Sequence, residues 1–234
     1  LNQRYARDFV GSTGLAARYL FDMVDARTDP LGPDNPLILM PGLLNGTSGP
    51  SVSRWGGATR SPYTGHYGDA NAGAWFGAEL KNAGYDGIIL KGQSVKPVYL
   101  YIKDGVAELR DASSLWGKDT YETTDILKRA IGGTKKVRVL VIGQAGENLV
   151  RFASLHNDKA NTAARCGGGA VMGSKKLKAI AVRGSGKVQP AMPQEYAELR
   201  KALLDKVRES VLSAALQTLG TATNMFAGAA IGDV

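Results

Sequence analysis

The chain has 234 residues, 44% hydrophobic and 21% charged, the balance of a globular chain able to bury a core. Its formal net charge of +8 invites a nucleic-acid reading, but Lys135-Lys136 and Lys175-Lys176-Lys178 are the only tight groups of cations and no base-stacking basic module accompanies them. The single cysteine, Cys166, excludes an internal disulfide and any four-cysteine cluster or zinc site within this sequence. With no apolar run of membrane-spanning length and no signal-like opening, a reducing, cytoplasmic compartment is expected.

In chain order, Leu15, Tyr19, Leu20 and Met23 form one apolar stripe at helical spacing, with Ser12 or Thr13 as its expected N-cap. The Pro- and Gly-rich residues 29–36 read as a loop, and residues 37–40 as a short strand ending at Pro41-Gly42. Residues 42–77 are dense in Gly, Ser, Thr, Pro and Asn with little periodicity; so long an irregular segment points to function. A strand is predicted at 88–90, then a hairpin of 98–102 and 106–109 about Lys103-Asp104-Gly105, where Asp-Gly is a strong turn signal. Asp119 with Glu122 caps a predicted helix over 120–131, and residues 137–142 and 177–182 read as buried strands. Gly184-Ser185-Gly186 marks a boundary. Beyond it, residues 193–219 have helical composition and 226–234 form an apolar, Gly-rich tail, expected to open a further domain.

Gly167, Gly168, Gly169 and Gly173, with Arg165 before them and lysines after, suggest a loop whose backbone N–H groups could cradle an anion. It is not a P-loop, because Gly173-Ser174-Lys175 reverses the lysine–hydroxyl order. Gly143-Gln144-Ala145-Gly146 after a strand likewise lacks dinucleotide-binding spacing. His66 and His156 have no motif partner and read as surface or core histidines, and lone Cys166 as an inert thiol.

Several segments together resemble one family. Leu43-Leu44-Asn45-Gly46-Thr47, Ser53-Arg54, Thr59-Arg60-Ser61-Pro62-Tyr63-Thr64-Gly65, Ala70-Asn71-Ala72-Gly73 and Phe76-Gly77-Ala78-Glu79-Leu80-Lys81 follow in order, then Lys96-Pro97-Val98-Tyr99, Trp116-Gly117-Lys118, Gly146-Glu147-Asn148 and Gly169-Ala170-Val171-Met172-Gly173-Ser174-Lys175. This is similar to the amino-terminal domain of the aldehyde ferredoxin oxidoreductase family of tungsten enzymes. The resemblance implies an α+β fold in which a two-sheet, β-rich pterin-binding base spans residues 1–186 and a helical domain starts over 187–234. It also implies a strand pair preceding residue 1.

By that resemblance the cofactor is a tungsten bis-pterin whose dithiolenes supply the sulfur ligands, with magnesium bridging the pterin phosphates. Arg54, Asn71, Gly73, Asn161, Thr162 and Arg165 match cofactor-contacting positions, and Asn71 and Thr162 offer backbone carbonyls to magnesium, a hard cation that prefers oxygen. Many family members carry arginine where this chain has Asn161, a departure that weakens one phosphate contact. The 4Fe-4S cluster ligands and catalytic groups are expected outside this segment. The partners implied are ferredoxin or an iron–sulfur electron-transfer subunit, the enzyme's remaining domains and an oligomeric assembly, with no membrane or nucleic acid. Two functions follow from the resemblance, aldehyde oxidation to carboxylic acids or a benzoyl-coenzyme A reductase-like activity; a basic nucleic-acid-binding module is the reading of another class.

Overall fold

The computed structural model describes residues 2–133 and 137–232, apart from the side chains of residues 226 and 227. Lys135-Lys136, the Phe226 side chain and the last two positions of the expected apolar tail lie outside the described residues. The chain divides into two compact units, Leu1–Thr47 with Ser51–Val188, and Ser48–Pro50 with Gln189–Val234.

The first unit opens with helices α1 (Gln3–Phe9) and α2 (Ser12–Met23), then strands β1 (Leu37–Pro41), β2 (Trp55–Arg60) and β3 (Tyr67–Ala72). Helix α3 (Phe76–Asn82) leads into β4 (Ile88–Leu90), the hairpin β5 (Val98–Lys103) and β6 (Val106–Asp111), and helix α4 (Thr120–Ala130). Strand β7 (Arg138–Val141), helix α5 (Gln144–Glu147), strands β8 (Leu155–Asn157) and β9 (Asn161–Ala163), helix α6 (Gly168–Ser174) and strand β10 (Leu177–Arg183) complete it. The strands form a four-stranded antiparallel sheet, β3-β2-β1-β4, and a six-stranded sheet, β6-β5-β10-β7-β8-β9, in which only β10 and β5 run parallel. The α+β, two-sheet expectation therefore holds.

Alternation along the strands explains the layering, because successive side chains point to opposite faces. Leu37 and Leu39 of β1 join Trp55, Phe76, Leu140, Ile180 and Val182 in a core between the sheets, where Trp55 meets Phe76 edge-on at 5.3 Å between ring centroids. Ile38 and Met40 instead pack under Leu15, Ala16 and Leu20 of α2. Ala179 and Ala181 of β10 face Leu127 of α4 with Tyr99, Tyr101, Val139 and Val141. Both faces are covered, so these central strands read as continuous apolar runs.

Local signals place the edges of several elements. Asp119 accepts from the Glu122 N–H at 2.8 Å and caps α4, and Asp104 and Gly105 both take positive φ in the β5–β6 turn. Two expectations change. Helix α2 is preceded by Gly11, with no side-chain cap, so neither Ser12 nor Thr13 fills that role. Residues 42–77 are not irregular throughout, since they hold β2, β3 and the start of α3. Gly56 in β2 is needed there: a Cβ would lie 2.7 Å from Thr13 Cγ2 and 2.8 Å from Ser12 Oγ, so glycine lets the start of α2 rest on the strand.

In the second unit, Pro193–Glu209, Val211–Leu219 and Thr223–Ile231 are helical. The expected single helical stretch breaks at Ser210, whose extended backbone starts a new helix and whose hydroxyl accepts from the Ser213 N–H at 3.3 Å.

Candidate functional site

Strands β3 and β9 each end a sheet, and each pairs with only one neighbour, β2 and β8 respectively. An edge strand leaves a row of backbone N–H and C=O groups outside its own ladder. The two edges run beside one another. A narrow cleft along this seam is lined by Gly68, Asp69 and Ala70 on one side and Ala163, Arg165 and Cys166 on the other. The approach is close, for a Cβ on Gly68 would lie 2.6 Å from that of Cys166.

Five of the six residues singled out in the sequence gather at one end of the seam. Arg54, just before β2, donates from Nη1 to Asn71 Oδ1, and both side chains are exposed. The Arg54 backbone is fixed from below: buried Asn45 donates from Nδ2 to the Arg54 carbonyl at 2.7 Å, and the Gly42 N–H reaches the same oxygen at 3.1 Å. Gly73 follows β3 just before the bend at Ala74 and Trp75, and a Cβ there would meet only Asn161 Oδ1 at 3.8 Å and Ser53 Oγ at 3.9 Å. Its backbone lies outside the left-handed region, so nothing in the protein itself requires glycine at this position. Arg165, the sixth residue, is exposed farther along, beside Asp69 and Ala70.

Strand β8 holds β9 in place. Register pairs Asn157 with Asn161 and His156 with Thr162, so each pair shares a face. His156 lies between two hydroxyls, Ser154 Oγ at 3.1 Å from Nε2 and Thr162 Oγ1 at 3.2 Å from Nδ1. Burial pushes its pKa below the ordinary imidazole value, which favours the neutral ring. Asn157, fully buried, donates from Nδ2 to the Gly73 carbonyl at 3.2 Å, while its Oδ1 has no hydrogen-bond partner. An unpaired buried acceptor costs on the order of 1–3 kcal/mol. Sequence reasoning missed Asn45 and Asn157 and set His156 aside, because lone polar residues on short segments carry no periodic signal.

The glycine run behaves differently from the anion loop expected of it. Gly168–Ser174 is the wholly buried helix α6, packed on α5. A Cβ on Gly173 would lie 1.9 Å from the Gly146 carbonyl oxygen, and one on Gly169 2.5 Å from that of Ser154. These glycines serve backbone-to-backbone packing. The following lysines also turn inward: Lys178 pairs with Glu147 in the core, and Lys175 donates to the Pro33 and Gly92 carbonyls, each at 3.3 Å.

Burial, with Lys91 as the second cause, pulls the Lys175 ammonium down to about 8 from 10.5. Below pH 8 folded and unfolded chains both keep the proton. Between about 8 and 10.5 only the unfolded chain does, so Lys175 makes stability rise with pH across that window. Lys175→Met removes this rise. The stability of the variant minus that of the parent should fall between pH 7 and pH 10 in thermal melts; a constant difference would show that Lys175 does not titrate there.

Elsewhere in this unit, a cavity of about 740 Å³ opens between α2 and the β2–β3 turn, lined by Leu20, Phe21, Val24, Arg60, His66 and Tyr67 among others. It contains none of the six residues. Arg60 is already committed to the carbonyls of Gly65, Asp25 and Thr28. Among the described residues no group of His, Cys, Asp and Glu side chains is placed to hold a metal, and no helix is long and apolar enough to cross a membrane. Metal binding at the seam would therefore rest on backbone oxygens or on ligands that arrive with the metal.

Comparison with known proteins agrees on one family. The profile described as "Aldehyde ferredoxin oxidoreductase, N-terminal domain" matches residues 1–184. The tungsten-containing aldehyde ferredoxin oxidoreductase of Thermococcus kodakarensis is 49% identical over 221 residues, and that of Pyrococcus furiosus 46% over 222. Each alignment covers 94% of this chain and 36% of the relative, so the chain spans about a third of the length of the curated relatives it matches. Among solved structures, the active site complex BamBC of benzoyl coenzyme A reductase with 1,5-dienoyl-CoA is 40% identical with a TM-score of 0.86, covering 89% of this chain and 32% of that one.

Proposed function

The chain belongs to the aldehyde ferredoxin oxidoreductase family, and from that membership we propose that its first unit is the base on which a tungsten bis-pterin cofactor lies. The observation that carries this reading is the seam between β3 and β9. There Arg54, Asn71, Gly73, Asn161 and Thr162 meet at two sheet edges, beside a glycine that the protein's own packing does not require.

In this reading the Asn71 and Thr162 carbonyls would hold magnesium, a cation that favours oxygen ligands. Arg54, fixed through its backbone by Asn45, presents a planar fork of donors to phosphate or a pterin edge. Asn71 keeps that guanidinium turned toward the seam. Asn161 offers an amide where many relatives place arginine, and Arg165 adds positive charge farther along. When bound, the cofactor supplies two-electron oxidation of an aldehyde to a carboxylic acid. One cysteine cannot ligate a 4Fe-4S cluster, so the cluster's ligands would come from other parts of the enzyme; by family membership those parts would also supply the catalytic acid–base groups and pass electrons to ferredoxin or a similar carrier in the cytoplasm. A benzoyl-coenzyme A reductase-like role is the second reading, supported by the 40% identity to that active-site complex; the higher identities to aldehyde-oxidising relatives favour the first.

Intact protein produced with tungstate should contain tungsten, magnesium and acid-extractable pterin. Protein holding neither tungsten nor molybdenum would overturn the proposal. Arg54→Ala should weaken cofactor retention by on the order of 10-fold, the equivalent of one charge-assisted hydrogen bond of about 1.5 kcal/mol. Arg27→Ala, an exposed cation in another loop, serves as the control. Equal tungsten in both variants and the parent would leave Arg54 no part in binding.

A further inference from the structure

We propose that Asn157 is a positioning residue that locks Gly73, just after β3 of one sheet, against the β8–β9 hairpin of the other, and so sets the separation of the Asn71 and Thr162 carbonyls. The inference rests on the cofactor reading above and assigns a role to a residue outside the six. Asn157 sits opposite Asn161 in register, and both side chains look toward Gly73. The amide of Asn157 donates to the Gly73 carbonyl at 3.2 Å, joining the end of β3 to β8. With that oxygen engaged, the carbonyl two residues earlier, at Asn71, is left to meet a cation. On the opposite face its neighbour His156 meets the Thr162 hydroxyl at 3.2 Å, a side-chain contact that leaves the Thr162 carbonyl to the β9 backbone, so the bond from Asn157 to Gly73 is the link that carries the spacing.

The chemistry of Asn157 argues against a purely structural role. It is fully buried and its Oδ1 is unpaired, so its one bond, to the Gly73 carbonyl, is set against the cost of a buried acceptor. Leucine has nearly the same size, fills the space without an orphaned acceptor, and loses only the bond to Gly73. Stability and site geometry should therefore separate in that variant. A residue that orients metal ligands without touching the metal typically changes metal affinity by 10-fold or more when replaced.

The test uses the intact protein loaded with its natural cofactor, and reads magnesium per tungsten by elemental analysis beside the melting temperature. Asn157→Leu should melt close to the parent yet hold magnesium about 10-fold more weakly on titration with a chelator. Asn157→Ser, whose hydroxyl stops short of the Gly73 carbonyl, should show the same loss and tests the same bond if the leucine variant does not fold. A parent without tungsten would overturn the cofactor reading itself. A loaded parent with variants of unchanged magnesium affinity would overturn the positioning role alone.

Discussion

Replacing Lys178 by methionine should cost the folded protein about 3–5 kcal/mol, the usual penalty for breaking a buried ion pair from one side. Lys178 is fully buried and its partner Glu147 is nearly so. The ammonium donates to Glu147 and, at 2.7 Å, to the Lys118 carbonyl, while the other Glu147 oxygen accepts from the Gly117 N–H at 2.9 Å. Methionine leaves that carboxylate in the core with one backbone donor and no countercharge. The double variant Lys178→Met/Glu147→Gln removes the stranded charge as well, and should recover at least about half of the loss, because a neutral amide is far cheaper to bury. Urea titration measures both. A single variant within about 1 kcal/mol of the parent would mean that water reaches Glu147 and that the pair behaves as a surface ion pair.

The second large effect is on the cofactor. Gly73→Val should leave stability within about 0.5 kcal/mol of the parent, since its Cβ meets nothing closer than 3.8 Å and the backbone accepts an L-residue. Its two methyl groups would nevertheless project beside Asn161 into the space assigned to the pterin, and tungsten retention should fall by about 10-fold or more. Thr162→Pro should do similar damage by fixing φ and removing an N–H in β9. Thr162→Ala should change magnesium little, because the proposed ligand is a carbonyl and only the hydroxyl contact with His156 is lost. Tungsten content equal to the parent in Gly73→Val, or magnesium lost in Thr162→Ala but kept in Thr162→Pro, would contradict the backbone-ligand arrangement.

Where the chain states its structure locally, the sequence was readable. The Asp119 cap, the Asp104-Gly105 turn and the apolar runs of β1 and β10 each carry a mechanism that acts within a few residues. Elements with few β-branched residues were not readable. Strand β2 is Trp-Gly-Gly-Ala-Thr-Arg, and its first glycine answers to α2, more than 40 residues earlier in the chain. The same long-range cause hid α6: its glycines are poor helix formers, kept because α5 packs on their backbone. The site divides likewise. Arg54, Asn71, Gly73, Asn161 and Thr162 were found through family resemblance, and only the fold shows that they share a seam. Asn157 and His156 lie on a three-residue strand, too short for any periodic pattern.

The most direct measurement is anomalous diffraction at a tungsten absorption edge from crystals of the intact protein. The expected map has one tungsten peak over the β3–β9 seam, with magnesium between the carbonyl oxygens of Asn71 and Thr162. No tungsten peak, or one over the cavity beside Phe21 and His66, would contradict the assignment of the seam as the cofactor base.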